Sequence, residues 1–149
     1  MLPRLAVPIK LNKVQVVLKI DSSPHISGIE MVKKTPEQKA AEALRYVAAS
    51  GAASAVELQP FLNDPNQSIR AVAAMNPTAD ADLLDRFADD KFWGVRMEVV
   101  RNAQVSEATL RRLLEPDTRK RGVVHHAARE KLEARGVVFG ADGMPDTAV

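Results

Sequence analysis

The stretch Asp64-Pro-Asn-Gln-Ser-Ile69-Arg70-Ala-Val-Ala-Ala-Met-Asn76-Pro77 is followed by Asp90-Lys-Phe-Trp-Gly-Val95-Arg96-Met-Glu-Val-Val-Arg-Asn102. Every matched position is offset by 26 residues. Outward from this pair, the same offset links Ser54, Asp80 and Ser106, all residue types that cap helix N-termini. It links Leu58, Leu84 and Leu110, and then Phe61, Phe87 and Leu113. Ala43, Ile69 and Val95 share it, as do Val47, Ala73 and Val99. Caps and apolar positions thus recur in one register. A period in this range, with two helices per unit, predicts an α-solenoid, because one short helix pair cannot bury its apolar face alone.

The flanking units are more degenerate. Thr35-Pro36-Glu37-Gln38 opens a helix with a capping box and proline at the first helical position. Ala40, Ala41, Ala43, Leu44, Val47 and Ala48 follow at helical spacing, and Ser50-Gly51 stops them. Ser54 and Glu57 make a second capping box. At the far end, Asp117 or Thr118 is read as the cap of a last helix carrying Val123, Val124, Ala127, Ala128 and Leu132, ended by Arg135-Gly136. Its high charge suits a terminal helix with one face in water. Residues 136–149, with Gly140, Gly143 and Pro145, read as a flexible C-terminal tail.

Residues 1–34 are of another character. Val14-Gln-Val-Val-Leu-Lys-Ile20 is β-branched and apolar, residues 21–24 signal a turn, and residues 26–32 alternate with a shift of phase around Gly28. The expectation is a β-hairpin over residues 12–20 and 26–33, which would pack on the first helices or pair with another chain. The predicted organisation is therefore a mainly α protein. It has an N-terminal β-hairpin extension over residues 1–34, a helical repeat domain over 35–135, and the tail.

Composition bounds the function. The 149 residues are 46% hydrophobic and 4% aromatic, which favours closely packed helices. Cysteine is absent, so disulfides, zinc–thiolate sites and cysteine nucleophiles are excluded, and a cytoplasmic location is expected. The N-terminus is a poor signal peptide, and no apolar run is long enough to span a membrane. The net charge of +2 is unevenly spread: residues 35–90 carry four basic and nine acidic groups, and residues 91–135 carry eleven and six. Nucleophile–base pairs, phosphate loops and HExxH spacing are missing from the sequence. His125 and His126 are adjacent and point about 100° apart on a helix, which makes them poor joint metal ligands. No catalytic, cofactor or metal residue is assigned, and the chain is expected not to be an enzyme.

The repeat D-x-x-x-x-[IV]-R-x-x-[AV]-[AV]-x-N, followed by a capped Leu-x-x-Phe/Leu helix, resembles the leucine-rich repeat variant family and the HEAT-like repeats. Residues 64–90 carry the pattern well and residues 90–102 carry it again, with Ala103 in place of proline. The resemblance covers residues 36–135 and implies a right-handed superhelix of stacked short helices in a bacterial protein. One member of that family holds an iron–sulfur cluster on a cysteine-rich module, which a cysteine-free chain does not inherit. HEAT-like solenoids mostly bind proteins, and some bind DNA.

Departures from the register single out candidate residues. Phe92 and Trp93 stand where the previous unit has Asn66 and Gln67, and aromatics dominate binding hot spots. Arg111 and Arg112 replace Asp85 and Arg86, and with Arg101, Arg119, Lys120 and Arg121 they make the last third basic. Arg70 and Arg96, with Asp64 and Asp90, read as an Asp–Arg ladder between neighbouring units. Asn76 and Asn102 read as left-handed helix ends or turn residues. The leading expectation is a non-catalytic module that binds a protein partner through the solenoid surface and a Phe92–Trp93 rim. The alternatives are nucleic-acid binding through Arg101, Arg111, Arg112, Lys120 and Arg121, or a HEAT-like DNA glycosylase built on Trp93 and a buried aspartate.

Overall fold

The computed structural model describes residues 6–11, 14–20, 26–31 and 33–147. The protein is mainly helical, and its chain divides into two compact units, Met1–Ala43 and Leu44–Val149. In the first unit, strands β1 (Ala6–Leu11), β2 (Val14–Ile20) and β3 (Ile26–Met31) are antiparallel in the order β1-β2-β3. Strand β1 was not anticipated from the sequence. From Ile29 to Ile26 strand β3 spends one residue more than β2 does between Leu18 and Ile20. The turn read at residues 21–24 lies outside the described residues, as does His25.

Helix α1 (Pro36–Gly51) begins in the first unit and ends in the second. Its capping box forms as the sequence predicts: Gln38 N donates to Thr35 Oγ1 at 3.2 Å, and Thr35 N donates to Gln38 Oε1 at 2.9 Å. The second unit continues with α2 (Ala55–Leu58), which tightens into a 3₁₀ turn over Gln59–Asn63. Then come α3 (Gln67–Met75), α4 (Ala81–Phe87), α5 (Trp93–Arg101) and α6 (Glu107–Arg112). A 3₁₀ turn at Thr118–Lys120 precedes α7 (Val123–Ala134). Ser54, Asp80 and Ser106 cap α2, α4 and α6, each accepting the backbone N–H three residues on. Asp117 caps only the 3₁₀ turn, through Arg119 N at 3.0 Å, and α7 starts behind Gly122 without a side-chain cap.

Helix α3 packs on α5, and α5 on α7. The core between them uses the periodic positions: Leu58, Leu84, Leu110, Ile69, Val95, Ala73 and Val99 are fully buried. Ala43 and Val47 occupy the same register yet are exposed, Val47 by 64%. Here the sequence expectation fails. Ala49, in the last turn of α1, is buried, whereas Leu44 and Val47, further back along the helix, are exposed.

The two asparagines turn the chain as expected, each Oδ1 accepting the backbone N–H two residues on, from Thr78 and Gln104 at 2.9 Å, and they do more than that. Asn76 and Asn102 have extended backbones, with φ near −60° and ψ of 130° and 135°. They are not left-handed. Their side chains reach back one unit to carbonyls at and beyond the preceding helix end, where helical bonding runs out. Asn76 Nδ2 donates to the carbonyls of Ala49 at 3.0 Å and Ala52 at 3.2 Å. Asn102 Nδ2 donates to those of Ala74 at 2.9 Å and Asn76 at 3.0 Å. In the next unit Ala128 holds the asparagine position, and Lys131 takes over. Its Nζ donates to the carbonyls of Val100 at 2.6 Å and Asn102 at 2.8 Å. Burial and then the charge of Arg135 lower the Lys131 pKa.

In place of a flexible tail, residues 136–147 fold back on the last helices. Gly136, at φ 89°, ends α7 in the left-handed conformation that glycine tolerates best. Val137, Phe139 and Met144 then pack against the core, and Phe139 bridges to Pro145. Arg129 lies 4.9 Å over the Phe139 ring, and Arg121 Nη2 donates to the Asp142 carbonyl at 2.7 Å. Composition suggested a loose end because glycine and proline break helices. Their turns here close a small apolar flap over α7.

Candidate functional site

The arginine ladder defines the site by where it stops. Arg45 Nε meets Asp64 Oδ2 at 2.8 Å. Arg70 meets Asp90 with both nitrogens of one guanidinium edge, Nε to Oδ2 at 2.6 Å and Nη2 to Oδ1 at 3.1 Å. Both of these side chains are more than nine-tenths buried. Each aspartate also receives the backbone N–H two residues ahead, from Asn66 at 2.8 Å and Phe92 at 2.9 Å. Each following arginine donates Nη1 to that aspartate's carbonyl, Arg70 to Asp64 at 2.8 Å and Arg96 to Asp90 at 2.6 Å.

In the third unit the register slips by one residue. Glu115 takes the acid's place: it receives Asp117 N at 3.0 Å, and Arg121 Nε donates to its carbonyl at 2.9 Å. By the pattern of the first two rungs, Arg96 should pair with Glu115. Among the described residues no carboxylate lies within ion-pair distance of Arg96. Instead, Arg96 and Glu115 line a cavity of about 550 Å³ together with Trp93, Arg112, Lys120 and His125.

Trp93 is 53% exposed at this cavity. Phe92 is half-buried against the core, 5.8 Å from the Trp93 ring centroid. The ring of Phe92 lies over Gly94, where a Cβ would sit 2.5 Å from Phe92 Cε1. The two aromatics therefore divide their tasks: Phe92 packs against the core and neighbours the indole, and Trp93 is presented to solvent. Phe92 stands at the N-cap of α5 without a side-chain cap bond, whereas Asn66 caps α3 by accepting from Ser68 N at 2.8 Å. A cap of that kind contributes about 1 kcal/mol. The sequence gives it up here in exchange for an aromatic pair.

The expected basic stripe is broken up. Arg101 pairs with Glu98 and Arg111 with Glu107, each at 2.8 Å on an exposed helix face. Arg112 bridges Asp85 and Asp89 at 2.7 and 2.6 Å, and Lys120 lies 3.7 Å from Asp117. Arg121 is tied to backbone carbonyls as described, so it builds structure. Of the sequence candidates, Trp93, Arg112 and Lys120 line the cavity, while Phe92, Arg101, Arg111 and Arg121 do not. Sequence reasoning assigned Arg96 to the ladder and missed Glu115 and His125 as site residues. The available signal was the acid at 115, which comes 25 residues after Asp90 instead of 26.

His125 is buried, and its Nδ1 accepts from Glu115 N at 2.9 Å. Burial depresses its pKa, and the positive charges of Arg121, His126 and Arg129 add to the effect against the opposing Glu115. The folded protein thus holds a neutral imidazole that the unfolded chain would protonate more readily. Stability from this site is fully present above the ordinary histidine value of about 6.5 and is lost as pH falls below it. Thermal melts from pH 7 to pH 5 should show a falling Tm that is shallower in His125→Asn, which keeps an acceptor but does not titrate. Equal slopes in the two proteins would refute this.

No family model matches the chain, and neither a curated protein nor a solved structure matches it. Among the described residues, no helix is long and apolar enough to cross a membrane.

Proposed function

We propose that residues 35–135 form a short α-solenoid of the leucine-rich repeat variant or HEAT-like kind, preceded by a β-hairpin, and that they act as a non-catalytic module binding a protein partner. The observation that carries this reading is Trp93. A tryptophan half in solvent, beside a guanidinium without an acid partner, has the composition of an interface hot spot. The uncapped start of α5 adds weight, since local stability has been sacrificed at this point. Nucleic-acid binding is less well supported, because Arg101, Arg111, Arg112 and Lys120 each already face a carboxylate. A glycosylase would need an aspartate in the cavity, and the carboxylate lining it is Glu115, while buried Asp64 is paired with Arg45.

The test is affinity capture from the native host with wild-type protein and Trp93→Ala, each with and without nuclease. The expected result is a partner that survives nuclease and is lost with Trp93→Ala, while urea melts of the variant stay within about 1 kcal/mol of wild type, as for other exposed positions. A partner that disappears with nuclease would transfer the reading to nucleic acid. Loss of helical signal in Trp93→Ala would make the indole a core residue and end the proposal.

A further inference from the structure

We propose that the cavity beside Trp93 binds an acidic segment of the partner protein, with one carboxylate seated on the Nε–Nη2 edge of Arg96. This deepens the interaction reading and rests on it. The internal template is the rung one unit earlier. There Arg70 donates Nη1 to a carbonyl, and its other edge grips a carboxylate through two bonds of 2.6 and 3.1 Å. Arg96 makes the same Nη1 bond, to the Asp90 carbonyl at 2.6 Å, so its guanidinium is already oriented by the backbone. Arg96 lines the cavity, and the edge that would complete the rung carries no carboxylate among the described residues. What fits that edge is known from the molecule itself: a carboxylate approaching in the plane of the fork.

The endogenous acid does not fill the place. Glu115 Oε1 is engaged by Asp117 N at 3.0 Å, and Glu115 makes no ion pair with Arg96. His125 lines the same cavity with its Nδ1 already accepting from Glu115 N at 2.9 Å. Arg112 and Lys120 add positive charge to the walls, although each also faces an aspartate. Trp93 supplies an apolar platform next to the charged fork, so the segment that fits alternates acidic and apolar residues. An arginine fork beside an exposed indole in a concave site matches a peptide carboxylate, because the preceding rung shows the same fork gripping a carboxylate at two points.

Trp93 is the sole tryptophan of the chain, so its fluorescence reports on this site alone. The 149-residue protein is titrated with an acetylated, amidated peptide Glu-Leu-Glu-Leu-Glu-Leu, with the same peptide carrying glutamine for glutamate, and with inorganic phosphate and a single-stranded oligonucleotide. The expected result is a saturable spectral shift with the glutamate peptide and none with the glutamine peptide. Arg96→Ala should weaken binding at least about tenfold, and Arg96→Lys should weaken it too, since an ammonium cannot grip a carboxylate at two points. Glu115→Gln should tighten it by removing the like charge. Arg96→Lys and Glu115→Gln keep the inference testable if Arg96→Ala proves poorly folded. Absence of a shift with the glutamate peptide up to millimolar concentration overturns the inference, as does equal affinity for the two peptides or a preference for the oligonucleotide or phosphate. If the captured partner is lost with Trp93→Ala but kept with Arg96→Lys and Arg96→Ala, the interaction reading stands and the carboxylate seat falls. If Trp93→Ala keeps the partner, the interaction reading itself falls.

Discussion

Arg70→Ala should destabilise the protein by about 3–5 kcal/mol, whereas Arg96→Ala should cost about 1 kcal/mol, although the two arginines occupy the same place in the repeat. The difference is in what each leaves behind. Removing Arg70 strands the Asp90 carboxylate, whose side chain is 8% exposed, in a site that water reaches poorly. Asp90 keeps its bond from Phe92 N, but that single donor does not balance a buried charge. The Asp64 carbonyl also loses the Arg70 Nη1 donor. Removing Arg96 takes away one bond, to the Asp90 carbonyl, and strands no acid. Urea denaturation of the two variants side by side measures the contrast. Similar losses would mean that Arg96 is a structural rung after all, and the open edge assigned to it would have no basis.

Asn102→Ala should cost about 2 kcal/mol, because the buried Ala74 carbonyl loses its donor and the Asn76 carbonyl keeps only its bond from Ala79 N. Asn102 is 6% exposed, and its Nδ2 serves Ala74 in α3 and Asn76 in the turn beyond it. Its Oδ1 meanwhile accepts from Gln104 N at 2.9 Å, which shapes the turn toward α6. One side chain therefore ties two units and one loop. Asn102→Asp is the sharper variant. It keeps the acceptor for Gln104 but turns a carboxylate oxygen toward two carbonyls, so it should be at least as destabilising as alanine. If Asn102→Asp is tolerated, the donor role assigned to Nδ2 is wrong. Amide exchange in α3 and α5 would locate the loss, since both variants should loosen the join between those helices before the rest.

These two positions also mark the limit of what was legible beforehand. Ile69 and Val95, Leu84 and Leu110, and the caps at Ser54, Asp80 and Ser106 could be read directly, because a helix of fixed pitch makes burial and capping periodic along the chain. Asn76 and Asn102 were read as left-handed helix ends or turn residues; the turn role holds through their Oδ1 bonds to Thr78 N and Gln104 N, while the ties made by Nδ2 were not read. Their backbones are ordinary, and those ties run to residues 24 to 28 positions away, a distance no local rule covers. Ala43 and Val47 obeyed the period and still ended up exposed, since the period states which face is apolar and not whether anything covers it. The fold-back of residues 136–147 was hidden for a related reason. Val137, Phe139 and Met144 are too few and too irregularly spaced to announce a packed segment, and only α7 gives them a surface.

The candidate site followed the same division. Trp93 stood out because it broke the repeat, but the basic residues grouped with it were scattered by the fold into separate ion pairs. The amino-acid sequence by itself determined the period, the caps, the apolar stripes and the exceptions to them, because all of these follow from helix geometry and side-chain chemistry within one turn or one unit. The tertiary structure decided which exceptions meet. Glu115 comes one residue early and does not pair with Arg96, and among the described residues both line a cavity with Trp93. That outcome depends on how far a carboxylate can reach across two neighbouring units, and a reach of that kind is fixed only when the helices are packed.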